Sequence, residues 1–173
     1  PAWIFSNKII NKFHFGMFNF NGIPIPNYLG GAHYTWQILN DNKDGGCFIQ
    51  RISNKIDKGE ILSSYNYKLS NKAKIPIDYF KENLFLSSYF LSNFFDQIIN
   101  KETFYSYSYE TYKEKTKYYP RLNSNVNSWV DWKMKAEEIV KFCNAFDSPY
   151  SGAITTHKSQ IIKLKSVSII EKE

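Results

Sequence analysis

Apolar and polar positions switch between two periods along the chain. Ser6 is placed to cap a short helix over residues 6–13, with Ile9, Ile10 and Phe13 on one face, and Gly16 ends it. Met17-Phe18-Asn19-Phe20 reads as a short buried strand. Residues 21–31 hold Gly22, Pro24, Pro26, Gly30 and Gly31, which marks a loop. A helix over 32–40 follows, with Trp36 and Leu39 toward the core, then a polar turn over 41–46. Strands are expected at 47–52 and 61–67, with a loop at 53–59 between them. Pro76 opens the longest helix, which runs to about Ile99 because proline is tolerated in a first helical turn. Its Phe80, Leu84, Leu91, Phe94, Phe95 and Ile98 are expected to face the core.

The tyrosine-rich stretch 105–119 reads as an exposed strand or crossing loop, with a platform for stacking bases as the alternative. A helix over 135–146, capped by Asp131, precedes two candidate strands at 153–156 and 161–167 around a polar turn. The pattern predicts an α/β fold followed by a small helix-plus-hairpin unit. The expected division is a core over 1–117 and a C-terminal α+β subdomain over 118–173.

Composition narrows the class. The chain has 173 residues, 43% hydrophobic and 22% charged, which is globular rather than disordered. No apolar run approaches the roughly 20 residues that span a bilayer. The start, Pro1-Ala2-Trp3-Ile4-Phe5, has no basic segment or cleavage site of a secretory signal and no initiator Met, so a longer native polypeptide is expected. Cys47 and Cys143 sit in apolar contexts and read as buried thiols of a cytoplasmic protein. No pair of metal ligands falls at zinc-finger spacing. The net charge of +6 is nearly all Lys spread along the chain, with only Arg51 and Arg121 as arginines, a weak case for a nucleic-acid partner.

Two loops at strand ends carry the candidate chemistry, since functional residues of α/β folds concentrate there. One reads Asn19-Phe20-Asn21-Gly22-Ile23-Pro24-Ile25-Pro26-Asn27-Tyr28-Leu29-Gly30-Gly31, the other Ser53-Asn54-Lys55-Ile56-Asp57-Lys58-Gly59-Glu60-Ile61-Leu62. Between them lies Trp36-Gln37-Ile38-Leu39-Asn40.

These pieces, in this order, resemble the formyltransferase family that includes glycinamide ribonucleotide, methionyl-tRNA and amino-sugar formyltransferases. That family shows Asn-x-His, then Leu-Pro-x-Tyr-x-Gly, a Trp-containing helix, and Asp-x-Gly-Asp-Ile. Thirty-six residues separate Asn21 from Asp57, in keeping with the family's His-to-Asp separation. Tyr119-Pro120-Arg121-Leu122-Asn123, Trp129-Val130-Asp131-Trp132 and Ala145-Phe146-Asp147-Ser148-Pro149-Tyr150 resemble its C-terminal segments.

The resemblance implies a fold, a donor and roles. The fold would be the C-terminal part of a Rossmann-like formyltransferase core followed by the small subdomain, without the N-terminal half. The donor would be N10-formyltetrahydrofolate, attacked at its formyl carbon by a free amine. Asn19 would donate a hydrogen bond to the charged oxygen. Asp57 would be the carboxylate that supports the base. Trp3, Ile4 and Phe5 would be a strand end bordering the folate, and Pro26, Tyr28, Gly30 and Trp36 would shape the substrate loop. Asn21 stands where the family has histidine, and an amide has no useful pKa for a general base. Asp57 taking the proton itself, His14 or His33 substituting, an engineered trap and a non-catalytic binding relative all remain open.

The loop at Asn27-Tyr28-Leu29 is neutral, whereas the resemblance implies a strongly basic loop for a tRNA-directed enzyme. A nucleotide-linked amino sugar or other small amine is therefore the expected acceptor, with methionyl-tRNA as the alternative. The C-terminal helix and hairpin are a candidate homodimer interface.

Overall fold

The computed structural model describes residues 3–24 and 28–170. In chain order these form α1 (Asn7–Ile10), β1 (Phe18–Asn21), β2 (Leu29–Gly30), α2 (His33–Leu39), β3 (Asp44–Arg51), β4 (Ile61–Lys68) and α3 (Pro76–Ile99). After two single-turn 3-10 helices come β5 (Tyr118–Tyr119), α4 (Ser124–Asn127), α5 (Ala136–Ala145), β6 (Ala153–His157) and β7 (Gln160–Leu164). The expected α/β fold is present. The chain folds as two compact units. The first comprises Pro1–Leu29, Gly45–Lys68 and Asn83–Tyr118, and the second Gly30–Asp44, Leu69–Glu82 and Tyr119–Glu173.

The first unit is built on a sheet in the order β1-β3-β4. β1 runs antiparallel to β3, pairing Phe18 with Arg51, Asn19 with Gln50, Phe20 with Ile49, and Asn21 with Phe48. Directly opposed residues share a face, and faces alternate along a strand. Phe48 packs with Ile61 and Tyr112 on one face, supported by Ile23, Tyr107 and Tyr109. Ile49 packs with Leu62 and Phe94 on the other, supported by Phe90, Leu91 and Phe104. This explains why β3 is buried along nearly its whole length: it is the central strand and is covered on both sides. β1 is more open than expected, because Phe18 and Phe20 at the sheet's edge keep more than a third of their surface exposed.

Proline starts α3 where expected, but the face differs. Tyr79, Asn83, Ser87 and Phe94 form the buried stripe, while Phe80, Leu84, Phe95 and Ile98 are exposed, as is Phe85 at 77%. The helix is apolar around much of its circumference, so it has more large side chains than one sheet face can cover. Small polar residues take the closest approach. Asn83, next to the Tyr67 hydroxyl, also lies where a Cβ on Gly22 would fall. Residues 3–6 carry no strand, so the strand end expected at Trp3-Ile4-Phe5 is corrected to irregular backbone. The 105–119 stretch is mostly the crossing loop, with strand only at Tyr118–Tyr119. It bridges once to β4, Ile61 to Tyr107, and then winds into the 3-10 turns that bury Tyr112.

In the second unit α2 packs on α5. Thr35, Gln37 and Ile38 are the buried residues of α2, while Trp36 and Leu39, expected inward, are half-buried. Glu138 accepts the Lys135 N–H at 3.0 Å and so starts α5, a role the sequence reading gave to Asp131. β6 and β7 pair as a hairpin closed by Lys158 and Ser159, both at positive φ, as a two-residue turn between twisted strands requires. The Asp147 carboxylate accepts backbone N–H groups from Ser148 and, at 2.7 Å, Ser166, which ties the end of α5 to the chain leaving β7.

Candidate functional site

Asn19 and Asn21 alternate with Phe18 and Phe20, so both lie on the sheet face that also carries Phe48 and Gln50. The loop from β3 to β4 folds back over that end of the sheet. Ser53 shapes its start, its Oγ accepting the Lys55 N–H at 3.2 Å. Asp57 then takes φ of +53°, a left-handed conformation that Asp tolerates better than most residues. Gly59 lies on β3 so closely that a Cβ would stand 1.7 Å from the Arg51 carbonyl oxygen. The Arg51 N–H donates to Glu60 at 2.8 Å and closes the loop.

This places Asn19, Gln50, Asp57 and Gly59 around one pocket, with Trp3 and Ile4 at its rim. Asp57 is the sole carboxylate among the described residues that line it; the other ionisable groups are Arg51 and Lys55. No histidine lines it. A carboxamide hydrogen-bond donor and a carboxylate therefore share one wall, next to apolar surface supplied by Trp3, which is 77% exposed.

Gln50 lies beneath this pair. It is 3% exposed, and its Nε2 donates to the Gly59 carbonyl at 2.9 Å. The buried Tyr112 hydroxyl hydrogen-bonds the Gln50 side chain. Burial pushes the Tyr112 pKa up to about 12, with Tyr107, Tyr109 and Asp57 adding to the shift, so the phenol stays protonated. Neither residue was selected from sequence. The available signal was a lone amide inside the apolar run Cys47-Phe48-Ile49-Gln50, since buried polar groups require partners.

The other expected site residues are dispersed. Asn21 shares the face of Asn19 but does not line the pocket. Phe5 is half-buried and also outside its lining. Pro26 lies outside the described residues. Tyr28 is buried at φ +64°, and the next residue, Leu29, donates its N–H to the Lys117 carbonyl at 3.0 Å. In the second unit, Gly30 has φ of +109°. Trp36 donates through Nε1 to the Pro120 carbonyl at 3.0 Å and packs on Tyr119 with centroids 5.5 Å apart. Its indole N–H is thus engaged in fastening residues 119–120.

The histidines weighed as replacements for a base also lie elsewhere. His14 is exposed and meets Phe15 edge-on at 5.0 Å. His33 meets Tyr34 at a tilt of 53° with centroids 4.0 Å apart, and burial lowers its pKa to about 4, so it is neutral at neutral pH.

The chain is similar to known formyltransferases. Residues 124–173 match the family model described as the formyl transferase C-terminal domain. The bifunctional polymyxin resistance protein ArnA of Wigglesworthia glossinidia brevipalpis is 29% identical over 160 residues, covering 88% of this chain and 22% of that protein. A methionyl-tRNA formyltransferase of Prochlorococcus marinus (strain MIT 9312) is 21% identical over 172 residues, covering 98% of this chain and 52% of its own length. Among solved structures, the N-formyltransferase from Helicobacter canadensis, in complex with folinic acid and dTDP-3-aminofucose, superposes with a TM-score of 0.58 at 24% identity. That match covers 75% of this chain and 47% of that one. The chain spans about half, or less, of the length of each of these proteins.

Proposed function

Since the chain is a member of the formyltransferase family and spans its C-terminal part, we propose that it serves transfer of a formyl group from N10-formyltetrahydrofolate to a primary amine, that of a nucleotide-linked amino sugar. The observation that carries this reading is the single pocket holding Asn19 and Asp57. Support for the donor and acceptor comes from the Helicobacter canadensis enzyme, whose structure holds folinic acid and dTDP-3-aminofucose.

The residues fit such a reaction. The donor supplies an activated formyl carbon. The Asn19 carboxamide donates a hydrogen bond to the formyl oxygen as negative charge gathers there, an interaction that strengthens toward the transition state. The acceptor amine forms the new C–N bond while the bond from the formyl carbon to the donor nitrogen breaks. The proton lost by the amine is taken by the Asp57 carboxylate and passes to the departing nitrogen, so charge and protons balance. Trp3 and Ile4 offer apolar surface for a planar ring.

A second reading, a non-catalytic relative that binds a ligand, draws on one residue: Asn21 cannot act as a base. Mass-spectrometric detection of formylated product from a panel of nucleotide amino sugars, with N10-formyltetrahydrofolate as donor, separates the two. Product above the uncatalysed rate supports the enzyme. Donor binding without product from any member supports the binding protein, and formylation of methionyl-tRNA alone would redirect the acceptor.

A further inference from the structure

We propose that Gln50 is a positioning residue, holding the Asp57 loop at a fixed place relative to Asn19. This rests on the reading that Asn19 and Asp57 are the working pair. Three contacts converge on it. Gln50 is the direct cross-strand partner of Asn19, so its backbone and that of Asn19 are locked in register by β1 and β3. Its side-chain N–H reaches the carbonyl of Gly59, two residues beyond Asp57, at 2.9 Å. The same amide also bonds the buried Tyr112 hydroxyl, which is anchored in turn against Phe48 and Ile61.

The arrangement acts as a brace. Other anchors of the loop are the Ser53 turn at one end, Lys58 over the Tyr109 ring at 5.3 Å, and the Arg51 N–H to the Glu60 carbonyl at the other end. Between them Asp57 stands at a positive φ, a conformation that persists only where its surroundings hold it. The Gly59 carbonyl is the nearest downstream point at which a side chain grips this backbone. Gln50 is buried, so its bond to that carbonyl is shielded from competing water. The glutamine amide supplies the N–H that the Gly59 carbonyl needs and a donor toward the Tyr112 oxygen. An isosteric glutamate lacks these donors, and so does a methionine.

The test uses Gln50→Met, Gln50→Glu and Tyr112→Phe in the protein, with Ile61→Val as a control that weakens the same core without touching the pocket. Two readouts are taken: hydrogen exchange over residues 53–60, and kcat and KM for formyl transfer. With Gln50 as a brace, exchange in 53–60 rises at least about tenfold in both Gln50 variants. The kcat falls about tenfold to a hundredfold while acceptor KM stays within about threefold. Tyr112→Phe moves both readouts in the same direction by less, and Ile61→Val moves neither. Unchanged exchange over 53–60 in Gln50→Met overturns the proposal, as does a kcat that drops equally in Ile61→Val. If the unmodified protein transfers no formyl group, the functional reading fails, and the exchange data alone decide whether Gln50 holds the loop.

Discussion

A Cβ at residue 59 would stand 1.7 Å from the carbonyl oxygen of Arg51, so the backbone of the Asp57 loop lies directly against β3. The contact is with main chain at the end of a central strand, which cannot swing aside as a flexible side chain could. Gly59→Ala must therefore lift the loop. The expected outcome is a loss of roughly 1–3 kcal/mol in stability, together with loss of formyl transfer beyond what unfolding explains. Urea titration and steady-state kinetics on the same samples check both.

Asp57 has φ of +53°, and this separates its charge from its conformation. Asparagine tolerates the left-handed region about as well as aspartate, whereas alanine does not. Asp57→Asn should keep the native stability and lose transfer activity, because the proposed proton acceptor is gone. Asp57→Ala should lose activity and about 1 kcal/mol of stability besides. Equal stabilities for the two variants would remove the conformational part of this interpretation, and full activity in Asp57→Asn would remove the chemical part.

Much of this was legible in residue order, and the failures have physical causes. Pro76 announced the start of α3, but of its expected stripe only Leu91 and Phe94 face the core, while Phe80, Leu84, Phe95 and Ile98 are exposed. Periodicity reports which positions are apolar, not which of two apolar faces meets a sheet. Asn19 and Asp57 were singled out by the resemblance of two loop motifs to the formyltransferase family, and both line one pocket. Gln50 was passed over because an amide beside Arg51 at the end of a strand gives no hint of the Gly59 carbonyl nine positions away. Tyr112 was hidden among tyrosines weighed as a stacking platform. Only the 3-10 turns that bury it distinguish it from its exposed neighbour Tyr105.

His33 makes stability depend on pH. Burial lowers its pKa to about 4, from 6.5 in the unfolded chain, so the unfolded state binds more protons between those values. The contribution is fully present above pH 6.5 and is lost as the pH falls toward 4. Its upper size is about 3 kcal/mol by linkage. Urea midpoints measured from pH 7 to pH 4 should fall more steeply for the native protein than for His33→Gln. Parallel curves would show that His33 is not the group responsible.

The two thiols should be silent in the folded protein. Cys47 and Cys143 are almost fully buried, and burial pushes the Cys47 pKa up to about 12, which leaves almost no thiolate at neutral pH. A chromogenic disulfide reagent should titrate neither at pH 8 and both in denaturant. Rapid labelling of a folded sample would contradict the packing of β3.

The reaction centre itself is tested most directly by restoring a histidine at the end of β1. Formyl transfer from N10-formyltetrahydrofolate to the nucleotide amino sugars is compared for the Asn21 protein, Asn21→His, and Asn21→His combined with Asp57→Ala. If the pocket of Asn19 and Asp57 is where the amine attacks, Asn21→His raises kcat by about a hundredfold, the lower range for a general base. The added Asp57→Ala then abolishes that gain. No gain from Asn21→His in a folded, donor-binding protein, or a gain that survives Asp57→Ala, would place the chemistry elsewhere.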